Sequence, residues 1–345
     1  MEFGSDFHKC NYPIGKSLLH IYHTCNLYID GRQALIDIAI NNKWNILWIP
    51  SYYCYEFIDA ICPYSNIQIY DYTPFEDISL AIKRIHCDSN DAIIIPNFYG
   101  ISTPLSHIDY PQCIVIEDHS HDLISDWARN SKADWCFASL RKTLPIADGG
   151  ILWSPRGHNL PRQPIHTINA DKLADRRYLA MSLKAQYLNG NSIDKEFFRS
   201  IYIETENSLN DLPISSISKE SYKIISTIDI VEWYHRKKVN WEYINGNLIS
   251  NDKIKILSSS FANLKSYPFS VILKCSTEDV RDSLKAELIK NNIYPAILWN
   301  IPDTQNIHSK QFSSTMLSLH CDARYTIEDI KGMVRILNNV IKCLK

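Results

Sequence analysis

The stretch Ser139-Leu140-Arg141-Lys142-Thr143-Leu144-Pro145-Ile146-Ala147-Asp148-Gly149-Gly150-Ile151-Leu152 decides how this chain is read. A lysine in a short loop is followed by a Gly-Gly turn and then by an apolar strand. That order holds an amine at a fixed place beside a sheet. A lysine amine forms a Schiff base with an aldehyde when its surroundings lower its pKa. Taken alone the pattern is weak, because surface lysines near glycine turns are common, and a solvated loop lysine is the simpler reading of Lys142.

Working back from this loop, short apolar runs alternate with helix-like stretches. Ile46–Ile49, Ile67–Tyr70, Ala92–Ile95 and Cys113–Ile116 are each too short for a helix and are closed by Pro, Asp or Asn, as buried parallel strands are. Between them, Gly31–Ile40 follows a possible N-cap at Asp30, and Tyr55–Ile61 reads as a shorter helix. Strands alternating with helices predict crossover units and a mostly parallel sheet covered on both faces. Residues 160–225 read as helices and loops. A long helical stretch, Ile230–Leu248, then leads into a unit with one clear strand (Phe269–Leu273), a helix (Thr277–Asn291), a break at Tyr294-Pro295 and a last helix (Ile327–Leu344). The expectation is an α/β protein: a large domain over 1–228 and a small C-terminal α/β domain over 229–345.

Composition narrows the function classes. The chain has 345 residues, 45% hydrophobic and 21% charged, which suits a globular protein with a sizeable core. A formal net charge of -2 and scattered basic residues argue against a nucleic-acid or anionic-membrane surface. No stretch nears the roughly 18 uninterrupted apolar residues of a membrane span. The ten cysteines form no Cys-x-x-Cys pair, and several lie in apolar runs, Cys113 among them. No basic n-region leads into an apolar run at the start of the chain, so the expectation is a reduced, cytoplasmic protein without metal ligands.

Two further segments carry chemistry. In Ile114-Val115-Ile116-Glu117-Asp118-His119-Ser120-His121, a carboxylate ends an apolar strand, where ligands bind in open α/β sheets. A pyridine cofactor needs such a group to keep its ring nitrogen protonated, and His121 lies close enough in sequence to reach the ring's phenolic oxygen. A strand-end carboxylate capping the next turn is an equal alternative for Asp118. In Asp30-Gly31-Arg32-Gln33-Ala34-Leu35, glycine at a helix start lets the unpaired first amides approach a phosphate, although a plain capped helix start fits as well. Neither Gly-x-Gly-x-x-Gly nor Gly-x-x-x-x-Gly-Lys-Ser/Thr is present, so nicotinamide and nucleotide-triphosphate readings lack their phosphate loop.

Together and in order, these segments resemble the DegT/DnrJ/EryC1/StrS group of pyridoxal phosphate (PLP) dependent sugar aminotransferases, of the aspartate-aminotransferase-like fold type I. The resemblance runs from Gly31–Leu35 through Ile49-Pro50-Ser51-Tyr52-Tyr53-Cys54, Asn97-Phe98-Tyr99-Gly100 and Glu117-Asp118-x-x-His121 to Lys142 and Asp148-Gly149-Gly150. It covers about the first 155 residues well and the C-terminal part loosely. It implies that Lys142 carries PLP and moves the proton, that Asp118 pairs with the pyridinium nitrogen and that His121 sits near the phenolic oxygen. Gly31, Arg32 and Ser139 are then phosphate ligands, Tyr52 or Tyr53 stacks on the ring, and Cys54 and Asn97 line the cofactor. Many members place the serine five residues before the lysine, whereas Ser139 is three before it, and they often have a small or hydroxyl residue at the position of Arg32.

The resemblance also implies an amino donor such as glutamate, a keto acceptor on a nucleotide-linked sugar and a homodimer with closed two-fold symmetry. A lyase or decarboxylase on the same scaffold, or a catalytically inactive binding protein, are the alternatives, because function lives in the site and not in the fold. Arg324 offers a bidentate partner for a substrate carboxylate or else an ordinary salt bridge.

Overall fold

The computed structural model describes residues 2–106, 109–258, 265–303 and 306–344. The chain opens with strand β1 (Phe3–Gly4) and a short helix α1 (Leu18–Ile21). It then builds one sheet from β2 (Asn26–Tyr28), β3 (Leu47–Pro50), β4 (Ile67–Tyr70), β5 (Ala92–Pro96), β6 (Ile114–Asp118), β7 (Trp135–Ser139) and β8 (Gly150–Trp153). Helices α2 (Gly31–Asn42), α3 (Tyr55–Ile61), α4 (Ile78–Ile82) and α5 (Asp126–Arg129) lie between these strands in sequence. The strand order is β2-β8-β7-β6-β5-β3-β4. Neighbours from β4 to β7 pair in parallel, while β8 is antiparallel to both β7 and β2.

The apolar runs explain the order. In β5 every residue of Ala92-Ile93-Ile94-Ile95-Pro96 is buried, as a central strand covered on both faces must be. The edge strand β4 exposes Gln68 and Ile69 and buries Tyr70. Asp30 caps α2 as its position suggests, its carboxylate accepting the Gln33 amide at 2.9 Å. Each of the four apolar runs contains or overlaps an observed strand, and Tyr55–Ile61 is helical throughout.

Four helices follow: α6 (Ile168–Leu188), α7 (Lys195–Ser208), α8 (Lys219–Thr227) and α9 (Ile230–Asn247). The rest of the chain is β9 (Ile254–Ile256), β10 (Ser270–Cys275), α10 (Glu278–Lys290), β11 (Ile293–Tyr294), α11 (Ile307–Thr315), β12 (Met316–His320) and α12 (Ile327–Cys343). Here an antiparallel sheet, β12-β10-β9, is backed by the apolar faces of α9, α10 and α12 in a second core. Phe3 joins that core because β1 pairs in parallel with β11, so the start of the chain packs with its C-terminal part. No helix among the described residues is long and apolar enough to cross a membrane.

The cysteine reading needs a correction. Cys113, expected as a free thiol in an apolar run, is disulfide-bonded to Cys87, with the two Cα atoms 6.1 Å apart. Cys87 lies in the loop before β5 and Cys113 lies just before β6; the β5–β6 pairing brings them together. A separation of 26 residues carries no motif that reveals such a pair.

The Gly149-Gly150 turn locks the two halves of the site together. Gly149 has φ of +150°, donates its amide to Ile29 at 2.6 Å and accepts that of Leu140 at 2.9 Å. A Cβ on Gly150 would lie 2.0 Å from the Asp30 carbonyl oxygen and 2.7 Å from the Gly31 nitrogen, so only glycine lets β8 pass the start of α2. Asp148 beside it is buried and accepts the amide and hydroxyl of Ser218, at 2.7 and 2.6 Å, and the Ser221 hydroxyl. The turn thereby pins the start of α8 as well. Gly150→Ala is expected to cost at least about 3 kcal/mol, since the obstructing atoms are backbone and cannot rotate away. Urea unfolding followed by circular dichroism measures this, and a loss below about 1 kcal/mol would show that the turn yields.

Candidate active site

Three segments meet at the carboxyl ends of the parallel strands, where open α/β sheets bind ligands. Strand β6 ends on Asp118, β7 ends on Ser139, and α2 begins at Gly31. A cavity of about 410 Å³ opens between them, and Gly31, Arg32, Tyr53, Cys54, Asp118, Ser139 and Lys142 all line it. Lys142 ends a 3-10 turn, Leu140–Lys142, held on one side by the Gly149 carbonyl. On the other side, α9 grips the next residue: the Trp233 indole donates to the Thr143 carbonyl and the Tyr234 hydroxyl to the Thr143 hydroxyl, both at 2.9 Å. The amine of Lys142 lies 5.3 Å from the centre of the Trp299 ring.

Asp118 is fixed from two sides. The Tyr53 hydroxyl donates to one carboxylate oxygen at 2.5 Å and the Ser120 amide to the other at 2.8 Å. The Ser120 hydroxyl accepts the Ser139 amide at 2.9 Å, which laces the end of β6 to that of β7. One residue earlier, Glu117 points to the opposite face, as strand alternation requires. There it takes hydrogen bonds from Tyr110 at 3.0 Å and Ser131 at 2.6 Å and pairs with His119 at 2.9 Å. Burial opposes the charge on Glu117, but those partners overcome it and hold the carboxyl below its usual range.

Two expected ligands stand elsewhere. Neither His121 nor Asn97 lines the cavity. His121 stacks beneath Phe269 and Trp299, at 4.4 and 5.7 Å between ring centres, and these two rings do line it. Its Nδ1 accepts the Tyr99 amide at 3.0 Å, so that nitrogen carries no proton. Burial first, and then the charges of Lys142 and Lys237, push its pKa well down, so the ring is neutral. The amide comes within reach because Tyr99 and Gly100 are both left-handed, with φ of 55° and 68°. Asn97 acts through its backbone, donating to the Asp118 carbonyl at 2.9 Å. Tyr52 is fully buried and donates to the Leu298 carbonyl; Tyr53 is the tyrosine of that pair that faces the cavity.

Charged residues absent from the sequence reading complete the wall. The Arg141 guanidinium grips Glu206 with two hydrogen bonds, at 2.5 and 2.6 Å. Arg177 joins Glu206 and Asp6, each at 3.1 Å. Arg324, the suggested carboxylate partner, is largely engaged: Asp322 takes it bidentately at 2.7 and 2.9 Å, and the Asp6 and Ser5 carbonyls each accept a further hydrogen bond. No spacing rule links Arg141 to Glu206 or Lys142 to α9, so only the fold reveals them. Three buried polar atoms on the residues lining this cavity lack a hydrogen-bond partner: Arg32 Nη2, Arg141 Nε and Lys237 Nζ. All three are donors on cationic side chains. Asp30 caps the Gln33 amide alone, and helix geometry gives the Gly31 and Arg32 amides no internal acceptor. The arrangement is built for an anion at the start of α2, with an amine and a carboxylate beyond it.

No protein-family model and no curated protein matches the chain by sequence. Solved structures do match by shape. The PLP form of Spr1654 from Streptococcus pneumoniae, a candidate sugar aminotransferase, superposes with a TM-score of 0.63 at 11% identity, over 100% of both chains. Helicobacter pylori PseC, an aminotransferase of pseudoaminic acid biosynthesis, gives 0.63 at 12% identity over 99% of this chain and 100% of the other. The serine palmitoyltransferase of Sphingomonas wittichii gives 0.58 at 10% identity, over 95% and 75%. At such identities the likeness establishes the fold. The chain has the architecture of the PLP-dependent transferases, as its N-terminal motifs imply.

Glu206 offers a check on the charged wall. Burial pushes its pKa up, but the guanidinium groups of Arg141 and Arg177 outweigh this and hold it at about 2, against an ordinary 4.5. A depressed carboxylate pKa stabilises the fold above the unfolded value and loses that contribution as pH falls through the folded one. The stability difference between the protein and Glu206→Gln is therefore expected to be flat above about pH 5 and to shrink between about 4.5 and 2. Chemical unfolding at a series of pH values measures it; a constant difference would mean that the ion pair does not form.

Proposed function

We propose that this protein is a PLP-dependent aminotransferase with Lys142 as the covalent attachment point. The observation that carries the reading is the convergence on one cavity of a fixed lysine, a clamped carboxylate and a helix start with free amides beside an unpaired guanidinium edge. These residues fit the cofactor. The Gly31 and Arg32 amides, the Arg32 guanidinium and the Ser139 hydroxyl take the phosphate. Gly31 is needed there, since a Cβ would crowd the Ser139 amide at 3.0 Å. Asp118 keeps a proton on the ring nitrogen, and the Tyr53 hydroxyl and Ser120 amide hold its carboxylate in place. Tyr53 and Cys54 form the wall nearby.

When bound, the cofactor supplies an electron sink for breaking a bond at the amino-bearing carbon. Lys142, once displaced by the substrate amine, is the group placed to take a proton from one carbon and return it to another. His121 holds no proton on Nδ1 and supports the floor of the site through Phe269 and Trp299. The amino donor is an amino acid such as glutamate. The acceptor is a keto group, of the kind carried by nucleotide-linked sugars, in line with the sugar aminotransferases among the structural neighbours. We place the large domain at 1–228 and the small one at 229–345, and propose a cytoplasmic homodimer without nucleic-acid or membrane partners.

Lys142→Ala tests the reading. With added PLP the protein is expected to show an absorbance band near the visible edge that borohydride fixes covalently, and Lys142→Ala is expected to show none. Glutamate alone should then bleach the band in a transaminase, whereas a lyase or decarboxylase would return to it. A wild type that retains no cofactor after dialysis would leave a binding protein on this fold.

A further inference from the structure

One buried cation of the cavity has no hydrogen-bond acceptor and no part in holding the cofactor. Lys237 is 2% exposed, lines the cavity and has no hydrogen-bond acceptor for its amine. Its nearest neighbour of note is the ring of Tyr234, 4.1 Å away. The nearby carboxylates attract it through space but make their hydrogen bonds with other donors. Asp122 accepts the amides of Ile124, Ser125 and Tyr267, and Asp322 is held by Arg324. Burial depresses the Lys237 pKa, with Asp122 opposing that shift. A buried ammonium that makes no hydrogen bond is costly unless a ligand supplies the acceptor.

Its position says which part of a ligand that is. Along α9, Tyr234 binds the loop of Lys142 through Thr143, and Asn240 binds the Asp322 and Tyr325 carbonyls. Lys237 lies three residues from each, about 4.5 Å along the axis either way. It therefore stands between the reactive lysine and the C-terminal wall, where a substrate bound to Lys142's end of the cavity extends. The start of α2, with its free amides, belongs to a different element. We infer that Lys237 is the anchor for a substrate carboxylate, a specificity-determining residue of the reaction proposed above and resting on that reading. Arg324, the residue the sequence offers for this task, already has its Nε–Nη2 edge on Asp322.

The test compares Lys237→Met and Lys237→Arg with the wild type, each first shown to retain the borohydride-fixed band. Loss of that band in the wild type would sink the cofactor reading; its presence leaves the carboxylate question open to the steps that follow. Bleaching by L-glutamate is expected to lose roughly 100-fold in rate over KM in Lys237→Met and to recover at least partly in Lys237→Arg. Bleaching by propylamine, which has no carboxylate, is expected to be unchanged. A separate readout needs no turnover: maleate is expected to raise the melting temperature of the wild type but not of Lys237→Met, whose own melting temperature is expected to rise as the unpaired charge is removed. If glutamate is unaffected and the return reaction with a keto acid loses activity, the carboxylate is the acceptor's. Equal losses with propylamine and glutamate, or an equal maleate shift in both proteins, would overturn the inference.

Discussion

The close passage of β8 across the start of α2 sets the site. Its tolerance is the absent side chain of Gly150, over which the Asp30 carbonyl lies where a Cβ would be. That contact, with the Gly149 amide on Ile29 and its carbonyl on Leu140, ties together the α2 start and the turn ending in Lys142. Asp118 reaches the same place independently through the parallel pairing of β6 with β7 and the Ser120–Ser139 bond. Apart from Gly150 and Ser120, this framework is made by backbone groups that most side chains leave undisturbed. This explains how an architecture persists at 11% identity.

What the sequence made legible follows from range. The strands that could be read, such as β5 and β6, are buried on both faces and so are written as continuous apolar runs. β9 is short, and β1 exists only because Ile293 and Tyr294 supply a partner nearly the whole chain away. The motif residues Gly31, Asp118, Ser139 and Lys142 were visible because each sits at an element end with local chemistry. His121 and Asn97 share that neighbourhood in sequence but are not among the lining residues; His121 stacks on Phe269 and Trp299, which are. Cys87–Cys113, Arg141–Glu206 and Lys237 depend on tertiary contacts that no spacing encodes.

Fold and chemistry rest on different grounds here. The architecture is shared by sugar aminotransferases and by a serine palmitoyltransferase, two different reactions, so shape cannot choose between them. What distinguishes a site is which groups remain unsatisfied. Most charged side chains around this cavity neutralise one another: Arg324 with Asp322, Arg177 with Asp6 and Glu206, and Arg141 with Glu206.

Beside these ion pairs, single donor atoms remain without an acceptor. The orphaned atoms on lining residues, Arg32 Nη2, Arg141 Nε and Lys237 Nζ, are all donors, and they do not lie on one element. Arg32 belongs to α2, Arg141 to the turn after β7, and Lys237 to α9. Lysine and arginine carry donors only, so each atom left over on them asks for an acceptor. An excess of buried donors costs stability in the empty protein, because each loses its hydration without replacement. Anions offset that cost only on binding, and donors spread over three elements leave places for more than one negative group. The phosphate proposed near α2 and the carboxylate inferred near α9, with the Lys142 amine between β7 and α9, would each meet one of these donors. The cavity is thus organised around charges that its own residues do not supply.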